Sequence, residues 1–169
     1  MKVELVAVST LDGFIARPNG SIDWASPEDH AWFTSYARKV GVMVTGRKTF
    51  EVALKRGLLP LKQRVVMTHE PGKFDPQPNT IFTDKSPHEV LQLIADGGHD
   101  HVIIAGGSQI YGKFLEENLV DEVRLTIEPV AIGEGIPLFA HAHKEHRFKL
   151  LETKSLNDST IQFHYQVIK

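Results

Sequence analysis

Cysteine is absent from the 169 residues of this chain. Its absence excludes disulfides, thiolate nucleophiles and cysteine-ligated zinc, and it fits a reducing compartment. Long apolar runs are missing as well. The stretch Val3-Glu4-Leu5-Val6-Ala7-Val8, directly after Met1-Lys2, is too short for a secretory core or a membrane span. The expectation is a soluble protein of the cytoplasm with no membrane partner. Neither sign of charge predominates. At a formal net charge of −2 there is no general attraction to nucleic acid. Nor do basic and aromatic residues interleave as on a nucleic-acid surface. An anion could be held only at a local site. The chain has no internal repeat, no low-complexity segment, no nucleophile elbow, no P-loop and no zinc-deaminase signature.

What is present is an ordinary globular composition, 41% hydrophobic and 24% charged, sufficient for one domain over 1–169 with a core that needs no staples. Hydrophobic period and chain breakers predict strands at 2–9, 41–45, 64–68, 79–83, 101–105, 121–130, 146–155 and 160–168. Helices are expected at 27–39, 47–54, 86–95 and 107–117. The alternation of β and α elements followed by strands points to an α/β protein with a mostly parallel sheet closed by an antiparallel ribbon. Val102-Ile103-Ile104-Ala105 is apolar without interruption, as a strand covered on both faces must be. Asn157-Asp158 reads as the turn of the closing hairpin. The 10–25 segment reads as a long irregular loop, yet Phe14, Ile15 and Trp24 imply that it packs on something.

One acid stands out. Ser26 suits a helix cap, Pro27 the first helical position, and Asp29 precedes Trp32 and Phe33 at helical spacing. The carboxyl of Asp29 therefore lies on the inward stripe. Two readings fit: a capping box in which Asp29 reaches back to the Ser26 amide, or an acid in a buried site. Two βα turns supply context. Gly46-Arg47-Lys48-Thr49 combines a permissive glycine, outward amides, two cations and a hydroxyl, which suits a phosphate but equally describes a solvated basic turn. Gly106-Gly107-Ser108-Gln109 opens a helix after the central strand; it suits a phosphate or is a plain tight turn. Together they suggest a dinucleotide at the carboxyl edge of the sheet, with a smaller ligand beside Asp29. His141-x-His143-x-x-His146 could form a metal set, but no carboxylate stands at ligand spacing, and no metal is expected.

These motifs, in this order, resemble the dihydrofolate reductase superfamily over nearly the whole chain. Asp29-His30-Ala31-Trp32-Phe33 is similar to its substrate helix, Gly46-Arg47-Lys48-Thr49-Phe50-Glu51 to its cofactor-phosphate turn, and Gly106-Gly107-Ser108-Gln109-Ile110-Tyr111 to its glycine turn. Ser9-Thr10-Leu11-Asp12-Gly13-Phe14-Ile15-Ala16 and Gly135-Ile136-Pro137-Leu138-Phe139 resemble the riboflavin-biosynthesis reductase branch more closely. So do Leu119-Val120-Asp121-Glu122 and Leu125-Thr126-Ile127-Glu128-Pro129-Val130. The resemblance implies a three-layer α/β/α fold and hydride transfer from NADPH to a pyrimidine or pteridine-type substrate. It implies a cofactor site of Ala7, Ile15, Gly46, Arg47 (on the 2′-phosphate), Lys48, Thr49, Thr68, Gly106, Gly107, Ser108, Gln109 and Ile110. Asp29 is implied as the catalytic acid, with Val6, Phe33, Lys62 and Thr126 against the substrate and the 10–25 loop closing over the nicotinamide. Lys62 stands where dihydrofolate reductases usually carry a carboxylate-clamping arginine. The stretch 50–62 also lacks the Asp-Asp-Pro-Arg-Leu usual in the riboflavin branch. The resemblance leaves monomer and homodimer both open. Rival readings are a non-catalytic NADPH-binding regulatory module and a metal-dependent hydrolase using the 141–146 histidines.

Overall fold

The computed structural model of the protein describes residues 1–140 and 142–169. The first half runs β1 (Lys2–Thr10), β2 (Phe14–Ala16), α1 (Pro27–Val40), β3 (Val42–Gly46), α2 (Arg47–Arg56), β4 (Gln63–Met67) and β5 (Thr80–Thr83). The second runs α3 (Pro87–Asp96), β6 (His101–Ile104), α4 (Ser108–Glu116), β7 (Glu122–Glu128), β8 (Ile136–Pro137), β9 (Arg147–Ser155) and β10 (Ile161–Ile168). Eight strands form one sheet in the order β5-β4-β3-β6-β1-β7-β10-β9. The first six of that order are mutually parallel, and β10 runs antiparallel to both β7 and β9. The expected α/β architecture is therefore present, with element ends within a residue or two of the predicted ones.

Side-chain alternation along β1 divides the interior into two cores. Val3, Leu5 and Ala7 join Ile94, Ile110, Tyr111 and Phe114 of α3 and α4 on one face. Val6 joins Met43, Ile103 and Ala37 on the other, under the aromatic stripe of α1. Val102, Ile103 and Ile104 are all fully buried between β1 and β3, as their unbroken apolar run predicts. The closing hairpin turns where expected: the Asn157 carboxamide oxygen accepts the Ser159 and Thr160 amides at 2.9 and 2.8 Å. Among the described residues no helix is long and apolar enough to cross a membrane.

The 10–25 segment departs from the expectation of an irregular loop. Phe14–Ala16 pairs antiparallel with Ile136–Pro137 as a separate two-stranded sheet. Strands of three and two residues are too short to show a period, and their partners lie about 120 positions apart in the chain. Asp12 reinforces the link, its Oδ2 accepting the Ile132 and Gly133 amides at 3.0 and 2.8 Å.

On the α1 face of β1 the alternation places a charge, Glu4, which is fully buried. Its carboxylate accepts from Arg124 Nε at 2.8 Å and lies 3.2 Å from His101 Nε2, and the Tyr36 hydroxyl of α1 donates to it. Lys2 Nζ neutralises the neighbouring Glu122 at 2.7 Å. This network ties α1 to β1, β6 and β7 through groups that would be costly to leave unpaired. Glu4→Ala should lower the unfolding free energy by roughly 3 kcal/mol, read from the shift in urea midpoint.

Candidate active site

Helix α1 starts as its residues dictate. Ser26 is extended at the cap, its hydroxyl accepts the Asp29 amide at 3.2 Å, and Pro27 takes the first turn. The reciprocal bond of a capping box comes from elsewhere: the Ser26 amide donates to Glu128 Oε1 at 2.9 Å. The Asp29 carboxyl is thus left to the interior, where the residue is 7% exposed. The cap is real, but Asp29 contributes only its backbone to it.

Inside, the Thr126 hydroxyl bonds to the Asp29 carboxyl. Gln162 Nε2 in turn donates to Thr126 Oγ1 at 3.1 Å, which directs the threonine hydrogen at Asp29. Burial pushes the carboxyl up to about 6; the Thr126 bond opposes the rise, the Glu128 charge adds to it, and His30 opposes it. A buried acid that exchanges its proton near neutrality can serve as a general acid. Val6 and Phe33 lie in the same core below α1. Tyr111 reaches in from α4, 5% exposed, its hydroxyl donating to the Val6 carbonyl at 2.7 Å. Burial raises its phenol above the ordinary value and the Asp29 charge raises it further. Trp24 Nε1 and Thr45 Oγ1 are buried with no hydrogen-bond partner among the described residues. Such orphans mark places for water or ligand.

The two βα turns meet. The Gly46 amide donates to the Gly106 carbonyl at 2.7 Å, so α2 and α4 begin side by side at the carboxyl edge of the sheet. Helices α1 and α3 have serine caps, whereas α2 and α4 begin on Gly46 and Gly107 with no side-chain cap. Their first amides are therefore not claimed by a side-chain cap and can donate to phosphate oxygens. Glycine is required at 106, where φ is +95° and a Cβ would stand 3.1 Å from the Tyr111 ring. Gly46 and Gly107 are tight as well, a Cβ meeting Ile110 at 3.0 Å and Thr49 Oγ1 at 3.3 Å. Arg47 and Lys48 are exposed beside this cradle, with Arg47 Nη1 resting on Glu51 at 2.7 Å.

The other expected site residues take the following places. Ala7 and Ile15 lie in the core shared with Ile110, next to the turn at 106. The Ser108 hydroxyl is occupied, donating to the Pro137 carbonyl and accepting the Ala140 amide, so a phosphate could meet only its backbone. Thr68 is buried at the end of β4, its hydroxyl accepting the Glu70 amide at 3.3 Å. Gln109 is exposed on the first turn of α4. Lys62 is not brought to Asp29. Its stem packs over Gly41, beyond the far end of α1, roughly 18 Å away at the helical rise. The nearby Arg64 does not replace it, being 5% exposed and bound to the Leu59 carbonyl and Thr80. Of the histidines, His141 lies outside the described residues. Glu116 accepts the His143 and Lys144 amides and stands 3.9 Å from His146 Nε2, so a carboxylate does reach this loop, from a helix that spacing alone could not indicate.

The family profile of the RibD C-terminal domain matches residues 1–161. The chain belongs to that family. Relatives of this RibD C-terminal domain include the uncharacterized protein YyaP of Bacillus subtilis, 30% identical over 92% of this chain and 89% of that one. A dihydrofolate reductase of Neisseria meningitidis is 30% identical over 86% of this chain and 83% of its own, which joins the family to the dihydrofolate reductase superfamily. In fold, a Shewanella sp. PV-4 protein named for riboflavin biosynthesis superposes with a TM-score of 0.84 at 24% identity, each chain covered in full. The deaminase/5-amino-6-(5-phosphoribosylamino)uracil reductase of Thermotoga maritima does so at 0.79 and 20%, covering 99% of this chain and 56% of that longer one.

The sequence assigned no role to four residues around Asp29: Tyr111 and Glu128, which stand inside the motifs quoted above, and Thr160 and Gln162, which lie outside them. Each reaches Asp29 or its support through tertiary contact alone. For Asp29 itself the raised folded-state value has a sign for stability. Its contribution is fully present below the unfolded value of 3.8 and is lost as pH rises through about 6. That difference corresponds to roughly 3 kcal/mol. Asp29→Asn should accordingly stabilise the protein by up to that amount at about pH 8 and leave it unchanged near pH 3, measured by denaturant unfolding at both.

Proposed function

We propose that this domain is an NADPH-dependent reductase acting on a pyrimidine or pteridine-type heterocycle. The observation that carries the reading is the buried, proton-exchanging acid Asp29 beside two uncapped helix starts joined by the Gly46–Gly106 bond. The residues fit a dinucleotide. Amides at the starts of α2 and α4 would hold its phosphates. Arg47 would leave Glu51 for the adenosine 2′-phosphate, an exchange made easy by the small worth of an exposed ion pair. When bound, NADPH supplies the hydride.

The chain's own residues supply the rest. Asp29, protonated, would donate to the nitrogen of a C=N bond, in the ring of a pteridine or in the open-chain sugar imine of a phosphoribosylamino-pyrimidine; with hydride added at the adjoining carbon the bond becomes CH–NH and Asp29 is left as the carboxylate. Thr126, oriented by Gln162, steadies that carboxylate through its hydroxyl. Phe33 and Val6 would flank the flat ring. The 10–25 loop, tied by its β2–β8 pairing, would close over the nicotinamide and exclude water. With Lys62 remote from Asp29 and no Asp-Asp-Pro-Arg-Leu stretch present, the two substrates to compare are a phosphoribosylamino-pyrimidine and dihydrofolate.

The test is NADPH absorbance with each substrate in turn. Oxidation with one of them is expected; tight NADPH binding with no oxidation by either would identify a regulatory binding module instead. In the active pairing, Asp29→Asn should lower kcat by about 10²–10⁴-fold. Arg47→Ala should weaken NADPH binding by about tenfold or more while leaving NADH binding nearly unchanged, since one charge-assisted contact is removed.

A further inference from the structure

The sequence places a serine three residues before an acid at two helix starts, and the outcomes differ. In α3 the Ser86–Glu89 box closes in both directions, the Glu89 carboxylate accepting the Ser86 amide at 2.9 Å. In α1 only the first half is made locally. The second is made by Glu128, from the last position of β7 and about 100 residues away in the chain. Glu128 is 2% exposed, and both its oxygens are engaged: Oε1 by the Ser26 amide at 2.9 Å, Oε2 by the Thr160 hydroxyl at 2.8 Å. An isolated buried carboxylate two positions from Thr126 on the same strand face is costly unless it is held in this way.

We propose that Glu128 is a positioning residue for Asp29: by occupying the Ser26 amide it keeps the Asp29 carboxyl off the helix start, aimed inward, and disposed to carry a proton. This rests on the reading of Asp29 as the proton donor of the reductase. Without Glu128 the helix would recruit its own acid. Asp29 would rotate to the Ser26 amide, complete a capping box of the α3 kind and become a low-lying carboxylate bound to a backbone donor. Two effects of Glu128 act in the same direction. It removes a hydrogen-bond donor that would stabilise the Asp29 anion, and its own charge disfavours a second anion beside it. The other groups acting on Asp29 are Thr126 from the same strand, His30 from its own helix and Tyr111 from α4. None of these competes for the Ser26 amide, so the control is specific to Glu128.

The arrangement also accounts for Thr160. Its hydroxyl lies just past the hairpin turn, where the Asn157 carboxamide fixes its backbone, and it anchors the outer oxygen of Glu128. The hairpin thereby reaches the site twice, through Thr160 on Glu128 and through Gln162 on Thr126.

The test needs no substrate. Carbon-detected NMR titration of the Asp29 carboxyl, in the full chain without ligand, should give a midpoint near 6 in the parent protein. Glu128→Gln, which keeps the shape and removes the charge, should lower that midpoint by on the order of one pH unit. Glu128→Ala, which also vacates the Ser26 amide, should lower it further. An unchanged or raised midpoint in both would overturn the proposal. A second reading uses only the parent protein: the Ser26 amide resonance should stay flat through the Asp29 titration, and a Ser26 shift that follows the Asp29 midpoint would overturn it too. In the active enzyme the acid-dependent limb of kcat should move to lower pH in Glu128→Gln, with KM little altered. A merely structural strut would change stability and leave that limb in place. Failure of the reductase reading would show as absent turnover in the parent protein, whereas the NMR midpoints would still decide the role of Glu128.

Discussion

The hydrogen bond from the Gly46 amide to the Gly106 carbonyl joins the two turns on which the site is built. It can form because β6 lies between β3 and β1, so the carboxyl ends of β3 and β6 are neighbours. The bond leaves both following helices to start on glycine, with no side chain claiming their first amides. Glycine at 106 is a conformational requirement, and at all three of 46, 106 and 107 the space is tight, since a Cβ would press on Ile110, Tyr111 and Thr49 respectively. The same backbone that closes the sheet edge opens an anion cradle on it.

A second principle governs the face of the sheet below α1, where polar groups are buried in matched sets. Glu4 is surrounded by Arg124, His101 and Tyr36, and its charge is compensated locally. Asp29 is treated differently. Among the described residues it has the Thr126 hydroxyl but no ion pair, and a second carboxylate stands nearby. Burial without full compensation destabilises the charged form and makes the group a proton carrier. Both acids are buried, and the contrast between them lies in their partners: Glu4 has an arginine, a histidine and a tyrosine, Asp29 a threonine.

Much of this was legible in the residues. The strand and helix order, the central apolar run and the hairpin turn followed from period and breakers, because each depends on neighbours within about ten positions. The inward aim of Asp29 followed from its spacing to Trp32 and Phe33. Its freedom from the cap did not, because Ser26-x-x-Asp29 has the same local form as Ser86-x-x-Glu89, which does close on itself. Only the arrival of Glu128 separates the two. The distance of Lys62 from Asp29, with its stem over Gly41 at the opposite end of α1, also came only from the fold. The β2–β8 sheet joins segments too short to carry a pattern.

The sequence by itself determined the fold class, the family and the types of group available: an inward acid, two glycine turns, two cations beside one of them and no thiol. These are local properties, written in side-chain volume, backbone permissiveness and charge. The tertiary structure alone decided which groups share space. It set the two turns against each other and brought Glu128, Thr160 and Gln162 from distant strands to the acid and its support. It also seated Asp29 where water is scarce. Contact and desolvation depend on residues far apart in the chain, and so they are settled only when the chain has folded.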